Sequence, residues 1–363
     1  MLNRYTSYID WYLFVPSFLL TFLGLFVLYD PLAKFGGTLF AKQAMWLLFA
    51  TLIFVFVSRM DLSFIKNGKL LLLLYFVSVI VLIFILFFAD IVKGASSRID
   101  LFGVSIQPTD PIKIVLIALL AKYFEKRHTF IADIKHIIIT GIYTAVLFLL
   151  LALQPDLGSA LVMGAIWFFV ILFSGLNKKH FIFMLLSLSL ISAGAWQFAL
   201  KDYQKKRIIS FLNPGADIYG SGYNVRQAKI AIGSGGFWGK GIAYGTQSRL
   251  NYLPEYETDF IFAAFAEEWG FVGVTLMLIL FFVLFSRIFY IAFNSNSNFT
   301  ILFAIGVFAM FFTHFTINIG MNLGLLPVTG VPLPFLSYGG SHLVVEFLAL
   351  AILTSFSKEE KVL

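Results

Sequence analysis

The chain has 363 residues, of which 60% are hydrophobic and only 12% are charged. Soluble proteins keep about a quarter of their residues charged, so this composition excludes an ordinary soluble enzyme and a nucleic-acid-binding domain. The net charge of +7 suits a protein that faces anionic lipid, and the absence of cysteine excludes disulfides and thiolate metal sites.

Apolar runs close to 20 residues long follow one another along the chain and predict transmembrane helices. We therefore predict an all-α polytopic membrane protein with about ten spans, forming a single domain over residues 1–363. The predicted spans are residues 11–29, 39–58, 70–89, 107–124, 137–153, 158–176, 181–200, 259–286, 299–323 and 341–357.

Basic residues in the short loops predict the orientation of these spans. Arg59, Lys126 and Lys178 follow spans 2, 4 and 6, and loops rich in Lys and Arg stay on the cytoplasmic side. This pattern places both termini in the cytoplasm.

Span 4 is preceded by Arg98 on the outer side and opens with two ionisable residues, Asp110 and Lys113. These two are three residues apart, so they share one helix face and can form a pair. Asp110 followed by Pro111 is also an ordinary helix start, and both interpretations can hold together. A cap does not explain a lysine at membrane depth, where ionisable groups usually serve a function.

A long loop, residues 201–258, is predicted on the outer side despite its positive charge. Loops of this length cross a membrane regardless of charge, or else the charge serves an anionic ligand such as a phosphate; charge alone favours neither explanation. Apolar residues at helical spacing in 223–232 predict an interfacial helix, so the loop is partly structured. Its basic residues are Lys201, Lys205, Lys206, Arg207, Arg226, Lys229, Lys240 and Arg249.

The glycine-rich run at residues 233–241 reads GSGGFWGKG and is not a phosphate-binding loop. The nucleotide-binding pattern requires Ser or Thr after its lysine, and Gly241 follows Lys240 here. These glycines predict a tight turn that brings the backbone close to the membrane or to a substrate.

The segment Asn251–Gly273 leads from this loop into span 8 and carries the strongest candidate for chemistry. Asp259 stands where water gives way to lipid, and a carboxylate there can have a perturbed pKa and still reach a soluble group. We therefore predict that Asp259 is catalytic, with Glu255 and Thr258 contacting the substrate beside it. The alternative is that Asp259 is a helix N-cap.

Two further carboxylates in span 8, Glu267 and Glu268, are not expected to share this chemistry. At 1.5 Å per residue a continuous helix would carry Glu267 about 12 Å deeper than Asp259, too far to act on the same bond. This pair predicts a buried structural network.

The chain between spans 9 and 10, residues 324–340, cannot be a regular helix. It contains Pro327, Pro332 and Pro334 among several glycines, and irregular backbone at membrane depth is tolerated only against protein or a wet cavity. We predict a re-entrant outer loop that walls the site. The scattered histidines predict no zinc site, while carboxylates close to substrate phosphates leave Mg²⁺ as an open candidate.

Together these motifs resemble the SEDS family of polytopic bacterial membrane proteins (shape, elongation, division and sporulation), over essentially the full chain. The matching segments are Gly94–Arg98, Gln107–Lys113, Gln154–Gly158, Phe211–Asp217, Gly220–Gly241, Leu253–Glu268 and Leu325–Ser341. The FLNP and KIAIGSGG versions look like the elongation (RodA-type) members rather than the division (FtsW-type) members. Unlike the usual pattern, Asp110 replaces a glutamate and Ile99 a tryptophan, while Pro111 and His342 are unusual.

The resemblance implies a peptidoglycan glycosyltransferase that polymerises lipid II at the outer face of the bacterial cytoplasmic (inner) membrane. It also implies a class B penicillin-binding protein as transpeptidase partner, other membrane proteins of the elongation complex, and no nucleic acid. The family's catalytic aspartate falls on Asp259, and its carboxylate–lysine pair falls on Asp110 and Lys113.

We expect Asp259 to deprotonate a sugar hydroxyl in a single inverting displacement. Cations must then stabilise the pyrophosphate leaving group, and the candidates are Lys113, Arg98, Lys229 and Arg207, in that order. The main alternative is a flippase or transporter for the same lipid, which would usually need repeats and broken helices in both halves. A non-catalytic scaffold and another lipid-linked sugar transferase are further alternatives.

Overall fold

The computed structural model describes residues 9–31, 37–88, 99–101, 104–125, 134–175, 177–198, 201–213 and 220–362; Arg98 lies outside them. The helices are α1 (Trp11–Leu28), α2 (Thr38–Val57), α3 (Gly68–Phe88), α4 (Thr109–Glu125), α5 (Ile134–Leu153), α6 (Leu157–Phe173), α7 (Lys178–Phe198), α8 (Asp202–Leu212), α9 (Ser221–Ser234), α10 (Thr246–Arg249), α11 (Ile261–Asn294), α12 (Asn298–Leu323) and α13 (Gly340–Val362). Two three-residue strands, β1 (Ile99–Leu101) and β2 (Val104–Ile106), form an antiparallel pair before α4.

A helix lies at each of the ten predicted spans, namely α1 to α7 and α11 to α13. Within the described ranges, seven of them are long and apolar enough to cross a membrane: α1, α2, α3, α5, α11, α12 and α13. The predicted class, a helical multi-pass membrane protein, is confirmed. The strand pair β1–β2 is a small departure from an all-helical chain.

Contacts between helices show which helix ends lie together. At one end of the bundle, Arg287 of α11 pairs with Asp10, the N-cap of α1, at 2.7 Å. At the other end the Trp269 ring lies 5.8 Å from that of Phe26. A Cβ on Gly24 of α1 would lie 2.3 Å from the carbonyl oxygen of Leu336, just before α13. We call this second end, where α1 and α12 finish and α13 begins, the site end.

The helix α11 is broken at Gly270, whose backbone has φ 62° and ψ −163°. A break leaves backbone N–H and C=O groups without intrahelical partners, which is costly away from water. Residues 235–241, here called the glycine loop, supply those partners. The bonds run from Lys240 N to Glu267 O (3.0 Å), Gly241 N to Glu268 O (3.0 Å), Phe271 N to Gly236 O (3.0 Å) and Val272 N to Phe237 O (3.2 Å).

The predicted tight turn of glycines is therefore present, and its backbone approaches α11 closely; the predicted approach to the membrane or to a substrate stays a prediction. A Cβ at Gly235 would lie 2.1 Å from the Ala266 carbonyl oxygen, and one at Gly239 would lie 2.2 Å from that of Glu268. No side chain fits at such distances, so glycine is required at both positions.

The break lies beyond Glu267. The part of α11 after Gly270 runs the length of α1, from the Phe26 contact to the Asp10 pair. Residues 261–269 form a regular helix before the break, so the expected separation of about 12 Å between Asp259 and Glu267 along the axis stays a prediction.

Three glycines of this region allow a graded test of the packing. Gly239→Ala should lower the free energy of unfolding by about 3 kcal/mol, because it combines φ +81° with a backbone clash. Gly236→Ala, at φ +57° with no atom within 4 Å, should cost about 1 kcal/mol. Gly233→Ala, inside α9 and equally open, should be neutral or stabilising by up to about 1 kcal/mol.

Thermal unfolding of the three variants in detergent, followed by helical circular dichroism, measures this order. Equal losses at Gly236 and Gly239 would contradict the backbone contact with α11.

Candidate active site

Asp259 lies in a turn just before α11, at the site end. The N-cap of α11 is Phe260, and it makes no side-chain cap. The N–H of Ala263 in the first turn is instead accepted by Oδ1 of Asn322 in α12, at 3.1 Å. The neighbouring helix α12 therefore caps α11. Asp259 is not the N-cap, in contrast to the alternative interpretation of the sequence.

The turn itself, residues 255–260, is tight and strained. The carbonyl oxygen of Glu255 accepts the N–H groups of Thr258 (3.2 Å), Asp259 (3.0 Å) and Phe260 (3.1 Å). Glu255 has φ 54°, a left-handed conformation that costs a non-glycine residue about 1–3 kcal/mol and tends to occur at functional sites. The hydroxyl of Thr258 also lies 3.4 Å from Oε2 of Glu255. Glu255 and Thr258 thus shape the turn around Asp259, and their contact with a substrate stays a prediction.

The loop 324–339 holds this turn through consecutive backbone carbonyls. Tyr338 N donates to the carbonyl of Glu257 at 2.8 Å, and Ser337 Oγ donates to that of Thr258 at 2.7 Å. Burial, with a smaller contribution from Glu257, raises the pKa of the Tyr338 phenol, so its hydroxyl stays protonated at neutral pH.

The same loop passes directly beside the Asp259 carboxylate. A Cβ on Gly330, where φ is 78°, would lie 3.4 Å from Asp259 Oδ2. The loop is buried among the helices, with Val331, Leu333 and Phe335 each no more than 2% exposed. The loop is therefore buried beside Asp259, while its re-entrant path in a membrane and its role as a wall of the site stay predictions.

Two of the four predicted cations, Arg207 of α8 and Lys229 of α9, line one groove together with Gly324 to Val328 of the loop. The groove encloses about 310 Å³, part of it open to solvent. Lys229 packs on Gly324, where a Cβ would lie 2.6 Å from its Nζ. Within the described ranges, no carboxylate pairs with Lys229, which leaves its charge available to an anion.

Asp110 and Lys113 form the predicted pair, with Nζ 2.8 Å from Oδ1 and both residues 2% exposed. They lie in a buried cluster with His314, His342 and Glu346, around a cavity with room for about one water molecule. Lys113 Nζ lies 3.2 Å from Nε2 of His314. The ring of His342 lies between two carboxylates, with Nδ1 3.1 Å from Asp110 Oδ1 and Nε2 3.0 Å from Glu346 Oε1. The angles at these contacts are not those of hydrogen bonds.

This buried cluster contacts the backbone of the loop 324–339 at two points. Nδ1 of His314 lies 3.2 Å from the carbonyl of Pro332, and the N–H of Phe335 donates to Oε2 of Glu346 at 2.8 Å. A carbonyl only accepts, so Nδ1 carries the proton, and in the neutral ring Nε2 accepts from Lys113. Lys113 is therefore connected to the loop 324–339 through His314. It is too buried to face the groove lined by Arg207 and Lys229.

Sequence reasoning missed His314, His342 and Glu346 as members of this cluster. His314 was assigned only to a scattered set of histidines, and its partner on α4 is 201 residues away. A usable signal was present, because His314, Asn318 and Asn322 recur every four residues in an apolar helix. Polar residues at such positions in a span usually mark function.

Removing the ammonium from this cluster should be strongly destabilising. Lys113→Met leaves Asp110 buried without its 2.8 Å partner, and breaking a buried pair in this way costs about 3–5 kcal/mol. The double variant Asp110→Asn/Lys113→Met removes both charges and should lose clearly less. Thermal unfolding compares the two, and a double variant no more stable than the single one would contradict the pair's role.

Glu267 and Glu268 form the expected structural network, and they bind two basic residues of the loop 201–258. Lys240 Nζ donates to Glu267 at 2.7 Å, and an Arg249 nitrogen donates to Glu268 at 3.0 Å. Arg249 also donates to the carbonyl of Val27 at the end of α1, at 3.1 Å. Lys240 and Arg249 therefore stabilise the fold. This is a third explanation for part of the loop's positive charge, beside the loop length and the anionic ligand considered from the sequence.

Comparisons with known proteins cover nearly the whole chain. The profile of the FtsW/RodA/SpoVE family, described as cell cycle protein, matches residues 10–362. Peptidoglycan glycosyltransferase MrdB of Escherichia coli K12 is 39% identical over 298 residues, covering 80% of this chain and 78% of MrdB. Stage V sporulation protein E of Bacillus subtilis is 34% identical over 359 residues, covering 96% of this chain and 97% of that protein.

Two solved structures share the fold. A chain from a study of a peptidoglycan synthase complex that coordinates polymerization and crosslinking superposes with TM-score 0.81 and 29% identity, covering 97% of this chain and 98% of that one. Rod shape determining protein RodA of Thermus thermophilus superposes with TM-score 0.71 and 27% identity, covering 97% of each chain.

Proposed function

The chain belongs to the FtsW/RodA/SpoVE family of cell cycle proteins, and we propose that Asp259 is the general base with which it polymerises lipid II. It is a multi-pass peptidoglycan glycosyltransferase of the SEDS family, and its relationship to MrdB supports the elongation type. The observation that carries the site assignment is the position of Asp259 on a strained turn clamped between α12 and the re-entrant loop.

The reaction follows from the chemistry of the two substrates. The acceptor presents a sugar hydroxyl, and the donor carries a pyrophosphate-linked lipid at its anomeric carbon. Asp259 takes the hydroxyl proton while the oxygen bonds to that carbon, and the pyrophosphate leaves with the electron pair of the broken bond. One displacement inverts the anomeric centre, so no covalent enzyme intermediate is needed.

We place the leaving pyrophosphate in the groove of Arg207 and Lys229, because cations must balance the charge that develops on it. Lys113 is reassigned from this role to support of the loop, since it is 2% exposed and paired with Asp110. Arg98 keeps its predicted role and lies outside the described residues. Within those residues, no cluster of three or more side chains could hold a metal ion; Mg²⁺ would need ligands from the substrate phosphates.

The site end faces outward in this proposal, with both termini in the cytoplasm and the enzyme in the bacterial cytoplasmic membrane. The basic short loops support that orientation. A class B penicillin-binding protein is the proposed transpeptidase partner, alongside other elongation-complex membrane proteins. The structural likeness to a chain of a synthase complex that couples polymerization with crosslinking supports this pairing.

One observation favours the transport alternative, because broken helices are common in transporters. In α11, however, the backbone groups freed at Gly270 are already bonded to the glycine loop. They are not available to coordinate a transported group, so polymerisation is the better supported function.

The deciding experiment adds labelled lipid II to the purified protein, alone and co-purified with its transpeptidase partner, and follows both glycan chain length and lipid movement across vesicles. Glycan chains without lipid movement support the proposal. Movement of lipid II without polymerisation would support transport instead.

A further inference from the structure

The helix α12 presents a row of three buried polar side chains towards the Asp259 turn: His314, Asn318 and Asn322, which are 3%, 0% and 0% exposed. Residues four apart lie on one helix face. A buried amide is tolerated only when its donors and acceptors are paired. The partners of the two asparagines therefore show what this face does.

The amide of Asn322 joins two parts of the start of α11. Its Oδ1 accepts the N–H of Ala263 at 3.1 Å, and its Nδ2 donates to the carbonyl of Asp259 at 3.1 Å. Because the first partner can only donate and the second can only accept, one orientation of the amide serves both. Asn322 therefore caps α11 and holds the backbone of Asp259 at the same time.

The amide of Asn318 joins the turn to the loop that faces it. Its Nδ2 donates to the carbonyl of Asp259 at 3.0 Å and to the carbonyl of Val331 at 2.8 Å. Val331 follows Gly330, which lies against Asp259 Oδ2. One NH₂ group thus sets the spacing between the carboxylate and its wall.

We propose that Asn318 and Asn322 are positioning residues for Asp259, an inference that rests on its role as general base in the proposed function. A carbonyl oxygen has two lone pairs, and the two asparagines supply a donor for each. The Asp259 backbone, from which the carboxylate extends, is therefore held from α12. A misplacement of about 1 Å in a catalytic group can cost about 10²-fold in rate.

Asn322→Asp separates positioning from folding. The new carboxylate still accepts the N–H of Ala263, close to a helix N-terminus where negative charge is favourable, but it no longer donates to Asp259. We expect kcat for lipid II polymerisation to fall about 30- to 100-fold, with KM within about twofold of wild type. The melting temperature should fall, because the new carboxylate faces the carbonyl oxygens of Asp259 and Asn318, so kcat is measured well below it and per folded protein. Asn318→Asp, the second variant, should show the same split between kcat and KM.

The matched control is Asn298→Asp at the opposite end of α12. The Nδ2 of Asn298 also donates to a backbone carbonyl, that of Glu125 at 3.3 Å, so the substitution makes the same chemical change far from Asp259. Its kcat should stay within about twofold of wild type.

The outcomes are distinguishable. Normal kcat in both Asn322→Asp and Asn318→Asp, with Asp259→Asn inactive, overturns the positioning role and leaves the general base intact. If Asp259→Asn is active, the proposed role of Asp259 as general base is wrong. If kcat in both asparagine variants falls only in step with the melting temperature, their role is structural and the inference is wrong.

Discussion

Asp259→Asn should reduce lipid II polymerisation by about 10²- to 10⁴-fold, because general base catalysis contributes rate enhancements of that size. The amide has the same shape as the carboxylate but cannot take up the hydroxyl proton. The backbone bonds that hold the turn use the main chain of Asp259, so folding and lipid II binding should persist. Turnover of labelled lipid II and a separate binding measurement test both parts.

Glu257→Gln provides the matched control for this variant. Glu257 lies two residues before Asp259 in the same turn, and it holds the Tyr338 N–H through its backbone carbonyl, which the substitution leaves in place. The substitution removes one negative charge locally and should leave turnover within about threefold. Equal losses in the two variants would mean that local charge, rather than a base at Asp259, supports the reaction.

Glu267→Ala should lower the free energy of unfolding by about 2–3 kcal/mol, because it removes several hydrogen bonds to a buried charged group. Glu267 is fully buried. Its carboxylate accepts from Lys240 Nζ at 2.7 Å and from the N–H groups of Thr246 at 2.9 Å and Gln247 at 3.0 Å. The variant leaves these partly exposed donors without their acceptor and loosens the glycine loop at the break in α11.

Thermal unfolding in detergent measures this loss, and polymerisation should fall with it because the first part of α11 leads directly from Asp259. The control is Glu125→Gln, which breaks a partly exposed pair with Lys122 and should cost less than about 1 kcal/mol. Similar losses for the buried and the exposed glutamate would contradict the structural network.

Much of the architecture was predictable from local patterns. Apolar runs of membrane length located a helix at each of the ten predicted spans, because the need to satisfy backbone groups in lipid leaves few alternatives. The spacing of Asp110 and Lys113 predicted their pair, since residues three apart on a helix meet whatever surrounds them. The water–lipid boundary and the motifs around Asp259 singled out that carboxylate.

The break in α11 was not predictable in this way. Apart from Glu267 and Glu268, apolar residues continue on both sides of Gly270, and a single glycine inside a helix is usually tolerated. The break is stable because the glycine loop, about 30 residues earlier in the chain, bonds to the freed backbone groups. That contact requires the folded protein.

By itself, the sequence determined the membrane class, the helix positions, the family and the choice of Asp259, because hydropathy, spacing and motifs are properties of neighbouring residues. Only the tertiary structure decided how Asp259 is held, through asparagines 59 and 63 residues away, and that Lys113 supports the loop instead of facing the groove. Buried polar groups must find partners wherever the fold brings them, and those partners lie far apart in sequence.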